Sequence, residues 1–385
     1  MDKSGISGIR LGILGGGQLG RMLIQKSIDY NVKTIVLDSD IDCPCSTICD
    51  EFIAGNINDY DTVLKFGSSA DVLTIEIEHV NVDALEMLQK LGKKVYPQPE
   101  VIRLVQDKGL QKMFYEKNKI PTSPFFLTES RNGLMARAPK FPFVQKLRKS
   151  GYDGRGVVKI SSEHDMSKSF DAPSVVEEMI DVKKEISVLV ARNTLGETSV
   201  FPVVELVFNQ DVNLVESLFA PADISPSLEK EACDLASRII ISLDMVGLLA
   251  VEFFITHTGI LLVNEIAPRP HNSGHHTIEA NLTSQYEQHV RAILGLPLGS
   301  TKKIYDAVML NLLGEPGFEG EAVYENIETI LAIESVYLHL YGKKFTRPFR
   351  KMGHITILGE TLDAALTKAK EVSTYFKVTG KKIIS

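Results

Sequence analysis

Two apolar runs separated by a turn each carry a glutamate where a packed strand should carry none. Residues 247–255 read Gly-Leu-Leu-Ala-Val-Glu-Phe-Phe-Ile and residues 259–266 read Gly-Ile-Leu-Leu-Val-Asn-Glu-Ile, so the interruptions are Glu252 and Glu265. Thr256, His257, Thr258 and Gly259 supply hairpin turn chemistry between them. With Thr258 and Gly259 as a two-residue loop, Glu252 stands directly opposite Glu265 on one face of the hairpin. Like charges so placed destabilise a sheet. A hard divalent cation held by the carboxylate oxygens and carrying the phosphates of a nucleotide would neutralise them. The competing reading is a slipped register that leaves both carboxylates solvated.

The hairpin sits in a chain whose two halves follow different grammars. The first hundred residues alternate apolar strand runs with helical stretches: Ile9–Leu14, a helix from about Leu19, Val32–Leu37, a short strand near Phe52, Val72–Ile77, then Val95 and Tyr96. That alternation predicts an α/β unit with a parallel sheet covered by helices. Pro97 and Pro99 close it, and Glu100–Asn118 opens the next unit with a helical pattern. From Phe143 to Ile266 the strands come as hairpins and antiparallel runs around one helix from about Leu228 to Leu243, whose Leu228, Ala232, Leu235 and Ile239 form a single stripe. After Pro297 shorter strands and a helix near Leu362–Tyr375 predict a small C-terminal α/β domain. The expected units are 1–99, 100–297 and 298–385.

A net charge of −7 disfavours a general nucleic-acid or anionic-membrane binder. No apolar run approaches membrane-spanning length, and the N-terminus turns glycine-rich where a signal peptide needs its apolar segment, so the expected compartment is the cytoplasm. Cys43, Cys45 and Cys49 cluster with a spacing that matches neither a common zinc site nor a disulfide framework. A reduced loop is the expectation there, with metal binding as the alternative.

Several segments carry chemistry. Strand Ile9–Leu14 runs into Gly15-Gly16-Gly17-Gln18-Leu19-Gly20, which fits G-x-G-x-x-G, and Asp38 ends the next strand where a ribose-binding acid would sit. The same strand, loop and helix would equally offer the backbone N–H groups of Gly17, Gln18 and Leu19 to a simpler phosphate. A second glycine loop, Gly151-Tyr152-Asp153-Gly154-Arg155-Gly156, lies between strands and reads as a mobile flap whose amides, with Arg155, close over phosphates. Lys146 before it and Lys108 upstream are candidate phosphate clamps. Glu177, Glu178, Met179 and Ile180, followed by Glu185, have the strand-end and linker character that can read an adenine edge and ribose hydroxyls. Residues 264–275, Asn-Glu-Ile-Ala-Pro-Arg-Pro-His-Asn-Ser-Gly-His, are poor core material and good material for a rigid active-site loop. His271 and His275 there have no clear companion metal ligands. Lys343, Lys344, Arg347, Arg350 and Lys351 cluster five cations, an anion-binding loop if folded toward the cleft and a solvated charge run otherwise.

Taken together, Gly15–Met22, the Asp107–Lys112 segment, Gly151–Gly156, Asn264–His275 and Arg350–His354 resemble the ATP-grasp superfamily and, within it, the 5-(carboxyamino)imidazole ribonucleotide synthase family of purine biosynthesis. The resemblance covers essentially the whole chain. It implies an N-terminal Rossmann-like domain, a central ATP-grasp domain of mainly antiparallel sheets with helices, and a small C-terminal α/β domain. It implies ATP and Mg2+ as cofactors, with Mn2+ as an alternative metal, and bicarbonate and 5-aminoimidazole ribonucleotide as substrates. Lys108, Lys146 and Gly151–Gly156 are then expected at the phosphates, Glu177–Ile180 and Glu185 at adenine and ribose, and Glu252 and Glu265 on magnesium, with Asn264 beside them. Arg269 is assigned to the anionic intermediate, with His271, Asn272 and Ser273 shaping its pocket. Tyr152, Asp153, Arg155, Lys343, Arg350 and Lys351 are expected to face the ribonucleotide together with the Gly17–Leu19 turn, and Glu76 to reach the aminoimidazole. A homodimer is the expected assembly.

Two departures from the family pattern stand out. Position 276 is histidine where relatives carry tryptophan, and a polar nucleotide or metal contact of relatives falls at Phe208. The rival activities are a formate-dependent glycinamide ribonucleotide transformylase, a nicotinamide oxidoreductase built on Gly15–Gly20, and a non-catalytic nucleotide-binding module.

Overall fold

A computed structural model describes residues 6, 8–137, 139–149, 156–209 and 214–383. The N-terminal elements are β1 (Arg10–Leu14), α1 (Gln18–Asp29), β2 (Lys33–Asp38), β3 (Glu51–Ala54), α2 (Tyr60–Ser68), β4 (Val72–Ile75), α3 (Val82–Lys90) and β5 (Lys94–Val95). All neighbours pair in parallel, in the order β3-β2-β1-β4-β5. Strands buried on both faces read as continuous apolar runs, as Leu11–Leu14 and Val72–Ile75 do. The strand order reverses beside β1, so the crevice beyond the carboxyl ends of β1 and β4 is the ligand position of such a sheet. Gly15 follows β1 there and Glu76 follows β4.

The expected single helix over Glu100–Asn118 is two: α4 (Pro99–Val105) and α5 (Lys108–Lys117). Asp107 causes the break, because its carboxylate accepts the N–H groups of Gly109 and Leu110 and starts a new helix at Lys108. A four-stranded antiparallel sheet follows, made of β6 (Phe125–Thr128), β7 (Phe143–Leu147), β8 (Val157–Ile160) and β9 (Ser174–Glu178) in the order β6-β9-β7-β8, with α6 (Arg131–Ala136) between β6 and β7.

The large sheet begins with β10 (Val182–Arg192), β11 (Thr198–Val200), β12 (Val204–Asn209) and β13 (Leu214–Ala220), then α7 (Pro226–Ser242), β14 (Gly247–Thr256) and β15 (Leu261–Ala267). Ser225 caps α7 by accepting from Leu228 N–H, with Pro226 at the first helical position. Ala232, Leu235, Ala236, Ile239 and Ile240 of α7 pack on Ile186, Val188 and Val190 of β10 and Leu249 and Val251 of β14. The segment after β15 holds the short α8 (Thr277–Ala280) and then α9 (Gln285–Leu294), which ends at Gly295 in the left-handed region.

The C-terminal elements are β16 (Asp306–Leu313), β17 (Phe318–Glu325), α10 (Ile327–Leu331), β18 (Val336–Leu340), β19 (Phe345–Thr346), β20 (Lys351–Gly359), α11 (Leu362–Tyr375) and β21 (Lys377–Lys382). Three of these strands do not form a separate sheet. They continue the central one, in the order β15-β14-β10-β12-β13-β16-β20-β18 with β11 on β10, while β17, β19 and β21 make a small sheet of their own. The pairing of β13 with β16 carries this continuity, and no local sequence pattern announces it. Among the described residues no helix is long and apolar enough to cross a membrane.

Candidate active site

Glu252 and Glu265 do face each other across β14 and β15, but by a different route from a two-residue turn. The hairpin closes with three residues, His257, Thr258 and Gly259: Thr256 N–H donates to Ile260 O, Gly259 N–H donates to Thr256 O, and Gly259 takes a φ of +82°. That turn sets a register in which Phe253 opposes Val263. An extra residue, Asn264, then bulges β15 and returns Glu265 to a position opposite Glu252. A bulge re-aims side chains, and here Asn264 and Glu265 both reach lysines of the same cleft.

Those lysines come from the smaller sheet and its neighbouring helix. Lys108, first residue of α5, holds Glu265 at 2.9 Å. Lys146 on β7 donates to Asn264 Oδ1 at 3.1 Å and pairs with Glu177 of β9 at 3.0 Å. Lys112 lies one turn beyond Lys108 on the same helix face. It is almost wholly buried, pairs with the other oxygen of Glu177 at 2.9 Å, and meets Thr122 Oγ1 at 2.5 Å. Burial pulls the Glu177 carboxyl upward, but Lys146 and Lys112 outweigh it and hold it below the ordinary range. Three ammonium groups thus line one wall of the cleft, two of them sharing a buried counter-charge.

On the opposite wall Lys108 pulls Glu265 well below the usual carboxylate range, whereas burial and the charge of Glu265 push Glu252 up. Glu185 on β10 is pushed up to about 7 by burial, and the Glu265 charge adds to the push. Two carboxylates, one of them reluctant to ionise until a cation arrives, suit a hard ion that completes its shell with water and phosphate oxygens. Among the described residues no three His, Cys, Asp or Glu side chains gather as a cage for a metal ion. The donor set therefore fits magnesium shared with a nucleotide better than a softer, fully protein-bound metal.

The loop after β15 supplies the rest. Arg269 Nε lies 2.8 Å from Glu78 Oε1, and its NH1 donates to Pro270 O at 3.0 Å. Gln285 of α9 grips the peptide of His271 on both sides, accepting its N–H and donating to its carbonyl, each at 2.8 Å. The His271 ring stands 3.7 Å from Glu252, and its Nδ1 is 2.9 Å from Ser273 Oγ. Burial, with Arg269 and Lys351 nearby, depresses this imidazole to about 3, so it is neutral. Asn272 exchanges two amide hydrogen bonds with Asn311 of β16, at 2.8 and 2.9 Å, which ties the loop to the C-terminal strands.

The glycine-rich turn after β1 is less open than its sequence suggests. Asp38 Oδ2 accepts Gly16 N–H at 2.6 Å, and Glu76 Oε2 accepts Leu19 N–H and Gly20 N–H, each at 3.1 Å. A Cβ at Gly16 would run into the Cys43 sulfur, and one at Gly17 into the Glu76 carboxylate. Amides that would cradle a pyrophosphate are already held by two carboxylates, so Asp38 props the turn instead of waiting for a ribose. Cys43 and Cys45 are buried beneath it, Cys45 N–H donating to Gly16 O. Burial pushes the Glu76 carboxyl up, while the turn's amides, Arg269 and Lys343 pull it back. Glu76 therefore joins the N-terminal turn to the cleft.

Of the cations near the C-terminus, Lys343 faces Glu76, and Lys351 acts on Glu252 and His271. Arg350 is turned toward the Phe345 carbonyl at 2.7 Å, with Arg347 and Asp40 as its charged neighbours. Phe208 packs half-buried against the cluster of Val204, Leu206 and Leu218. Glu178 N–H donates to Pro124 O, and Met179 and Ile180 form the linker from β9 to β10. Gly156 closes the base of β7 by accepting Leu147 N–H. Gly151, Tyr152, Asp153, Gly154 and Arg155 lie outside the described residues. Sequence reasoning did not single out Glu78, Lys112, Gln285, Ser187 or Asn311. Only Lys112 had a signal in the chain, its four-residue spacing from Lys108.

Comparison with known proteins matches residues 9–106 to the ribonucleotide synthetase preATP-grasp domain, 113–286 to the ATP-grasp domain, and 307–368 to the phosphoribosylaminoimidazole carboxylase C-terminal domain. A phosphoribosylaminoimidazole carboxylase of Candida albicans is 42% identical over 92% of this chain, which spans 65% of that relative, just under two thirds of its length. The crystal structure of an N5-carboxyaminoimidazole ribonucleotide synthetase from Thermotoga maritima superposes with a TM-score of 0.90 at 41% identity, covering 97% of this chain and all of that one. An N5-carboxyaminoimidazole synthase from Aspergillus clavatus, crystallised with ADP and 5-aminoimidazole ribonucleotide, superposes with a TM-score of 0.87 at 30% identity, covering 96% of this chain and 98% of that one.

Proposed function

This chain belongs to the N5-carboxyaminoimidazole ribonucleotide synthase family of ATP-grasp enzymes, and from that membership we propose that it carboxylates 5-aminoimidazole ribonucleotide at the expense of ATP. The γ-phosphoryl group of ATP passes to bicarbonate, giving carboxyphosphate and ADP. The exocyclic amine of the aminoimidazole then takes the carboxyl group, giving the carbamate and releasing phosphate. Bicarbonate is a poor electrophile, and phosphorylation supplies its leaving group. The observation that carries the reading is the facing pair Glu252 and Glu265 with Lys108 and Lys146 across one cleft. Catalysis of this kind rests on positioning and on neutralising developing charge.

In this reading Glu252 and Glu265 hold Mg2+, with Mn2+ as an alternative, and the ion when bound neutralises phosphate charge. Lys108 and Lys146 take the phosphates. Glu185 and the linker of Glu178, Met179 and Ile180 take ribose and adenine, with Glu177 beneath them as the buried counter-ion of Lys112 and Lys146. Arg269, aimed by Glu78, holds the carboxyl-bearing anion, and neutral His271 offers it a hydrogen bond. Glu76 and Lys343 face the ribonucleotide. The three units are read as 1–99, 100–297 and 298–385, the assembly as a homodimer and the compartment as the cytoplasm.

The test is ADP release by the purified protein with magnesium, ATP and bicarbonate, with and without 5-aminoimidazole ribonucleotide. Release that follows bicarbonate and the ribonucleotide is expected. Release that follows formate and glycinamide ribonucleotide would assign the rival transformylase activity.

A further inference from the structure

The peptide group between Pro270 and His271 is gripped at both of its polar ends. Its carbonyl, Pro270 O, accepts from NH1 of Arg269 at 3.0 Å, and its N–H, on His271, donates to Gln285 Oε1 at 2.8 Å. A trans peptide is a rigid plane whose C=O and N–H point in opposite directions, so whatever aims the N–H aims the C=O. Gln285 is wholly buried at the start of α9. Its Nε2 donates to His271 O at 2.8 Å, and because a backbone N–H only donates and a backbone carbonyl only accepts, its amide has one orientation that serves both. The helix that carries it is fixed to two sheets. One turn on, His289 Nδ1 accepts Leu248 N–H of β14 at 3.1 Å and its Nε2 meets Thr74 Oγ1 of β4 at 2.9 Å.

We propose that Gln285 is a positioning residue which, through the Pro270–His271 peptide plane, sets the Arg269 guanidinium. A planar group held at one point can pivot about it, and a second point stops the pivot. Glu78 holds the Nε edge of Arg269, at 2.8 Å, and the carbonyl aimed by Gln285 holds NH1. Pro270, with φ fixed by its ring, leaves the segment between Arg269 and His271 few other ways to bend. Beyond His271 the loop has its own ties, Asn272 to Asn311 and Ser273 Oγ to Ser187 Oγ at 2.8 Å, so the loss of the Gln285 amide falls on the plane before His271. The backbone N–H of Gln285 donates to Thr277 Oγ1 at 2.8 Å, a bond that survives a change of its side chain.

The effect on rate rests on the carboxylation reading, in which Arg269 holds the carboxyl-bearing anion, but the setting of the guanidinium can be followed without substrate. Gln285→Met keeps the length of the side chain and removes its bonds to His271. It should lower kcat about tenfold with KM for ATP within about twofold, because Arg269 is displaced and the lysines assigned to the phosphates are not. In an Arg269→Lys background the same substitution should cost less than about twofold, since a residue that acts through Arg269 has nothing left to position. Losses that multiply in the double variant overturn the proposal, as does a Gln285→Met protein with wild-type kcat. Gln285→Asn, whose amide is one methylene too short to reach both polar groups of His271, should behave alike and carries the same cycle if the methionine variant does not fold. In full-length protein labelled with 15N-arginine, the Nε signal of Arg269, identified by its loss in Arg269→Lys, should shift in either variant, and an unmoved signal also overturns the proposal. A wild-type protein that releases no ADP with bicarbonate and the ribonucleotide would count against the activity and leave the arginine signal to decide the positioning.

Discussion

The guanidinium of Arg269 is held by Glu78, Nε to Oε1 at 2.8 Å. Glu78 follows β4 of the N-terminal sheet, while Arg269 follows β15 of the central one, so this ion pair ties the active-site arginine to both.

That pair orients the Arg269 guanidinium, whose planar fork can hold a carboxylate or phosphoryl group through two parallel hydrogen bonds that lysine's point charge cannot reproduce. Arg269→Lys should preserve ATP affinity and lose about 10²-fold or more in turnover, the scale of removing a transition-state electrostatic donor. Glu78→Gln, which keeps an acceptor but not the charge, should cost about tenfold. Nucleotide affinity and carboxylation rate on the same preparations check both. Weakened ATP binding with an unchanged rate at saturation would move Arg269 to the nucleotide.

Glu252→Gln and Glu265→Gln should each fold and lose nearly all turnover, because strand packing is kept and a charged metal ligand is lost. The raised Glu252 carboxyl adds a pH signature. Below its titration point the cation must displace a proton, so apparent magnesium affinity should fall as pH drops, by up to about tenfold per pH unit. In Glu252→Gln the slope should vanish. Near-wild-type rates at saturating magnesium for either variant would sink the metal assignment.

Lys112 and Glu177 form a pair with side chains only 4% and 5% exposed. Breaking a buried pair typically costs about 3–5 kcal/mol, because a charge is left without its partner. Lys146 remains as a second partner of Glu177, so Lys112→Met should fall near the lower figure. The urea midpoint should drop accordingly, and KM for ATP should rise because Glu177, left with Lys146 as its one remaining lysine partner, competes harder with the phosphates for that ammonium. Unchanged stability would show that Lys146 alone suffices.

The parallel sheet, the long helix α7 and the helix Leu362–Tyr375 were legible because each is specified by its own residues: apolar runs, a Ser-Pro start, a stripe at helical spacing. The facing of Glu252 and Glu265 was legible for a less secure reason. A two-residue turn and a three-residue turn followed by a bulge at Asn264 lead to the same opposition, and sequence cannot tell them apart. What escaped were partners fixed only by tertiary packing. Glu78 meets Arg269 across two sheets, Gln285 reaches His271 from α9, and Asn311 meets Asn272 because β16 joins the central sheet. The G-x-G-x-x-G turn misleads for the same reason, since the carboxylates that occupy its amides come from β2 and from the residue after β4.

Acid should unfold this protein earlier than its carboxylates alone would require. Burial depresses His276 to about 4, His289 to about 3, and His275 and His354 well below the ordinary value. His289 shows the cause at atomic level. Leu248 N–H donates to its Nδ1 at 3.1 Å and its Nε2 meets Thr74 Oγ1 at 2.9 Å, so a second proton on the ring would face an N–H. A histidine whose folded value is depressed leaves stability flat above the unfolded value of about 6.5. Below it the unfolded chain binds the proton first, and stability falls until the folded value is reached. At pH 5 His276 and His289 should therefore each have removed about 2 kcal/mol, with His275 and His354 acting in the same direction. Urea midpoints measured from pH 7 to pH 5 should drop steeply, and His276→Phe should shallow the slope by close to one proton while leaving the pH 7 midpoint nearly unchanged. A midpoint that stays level across that range would mean that the buried rings take up their protons without opening the fold.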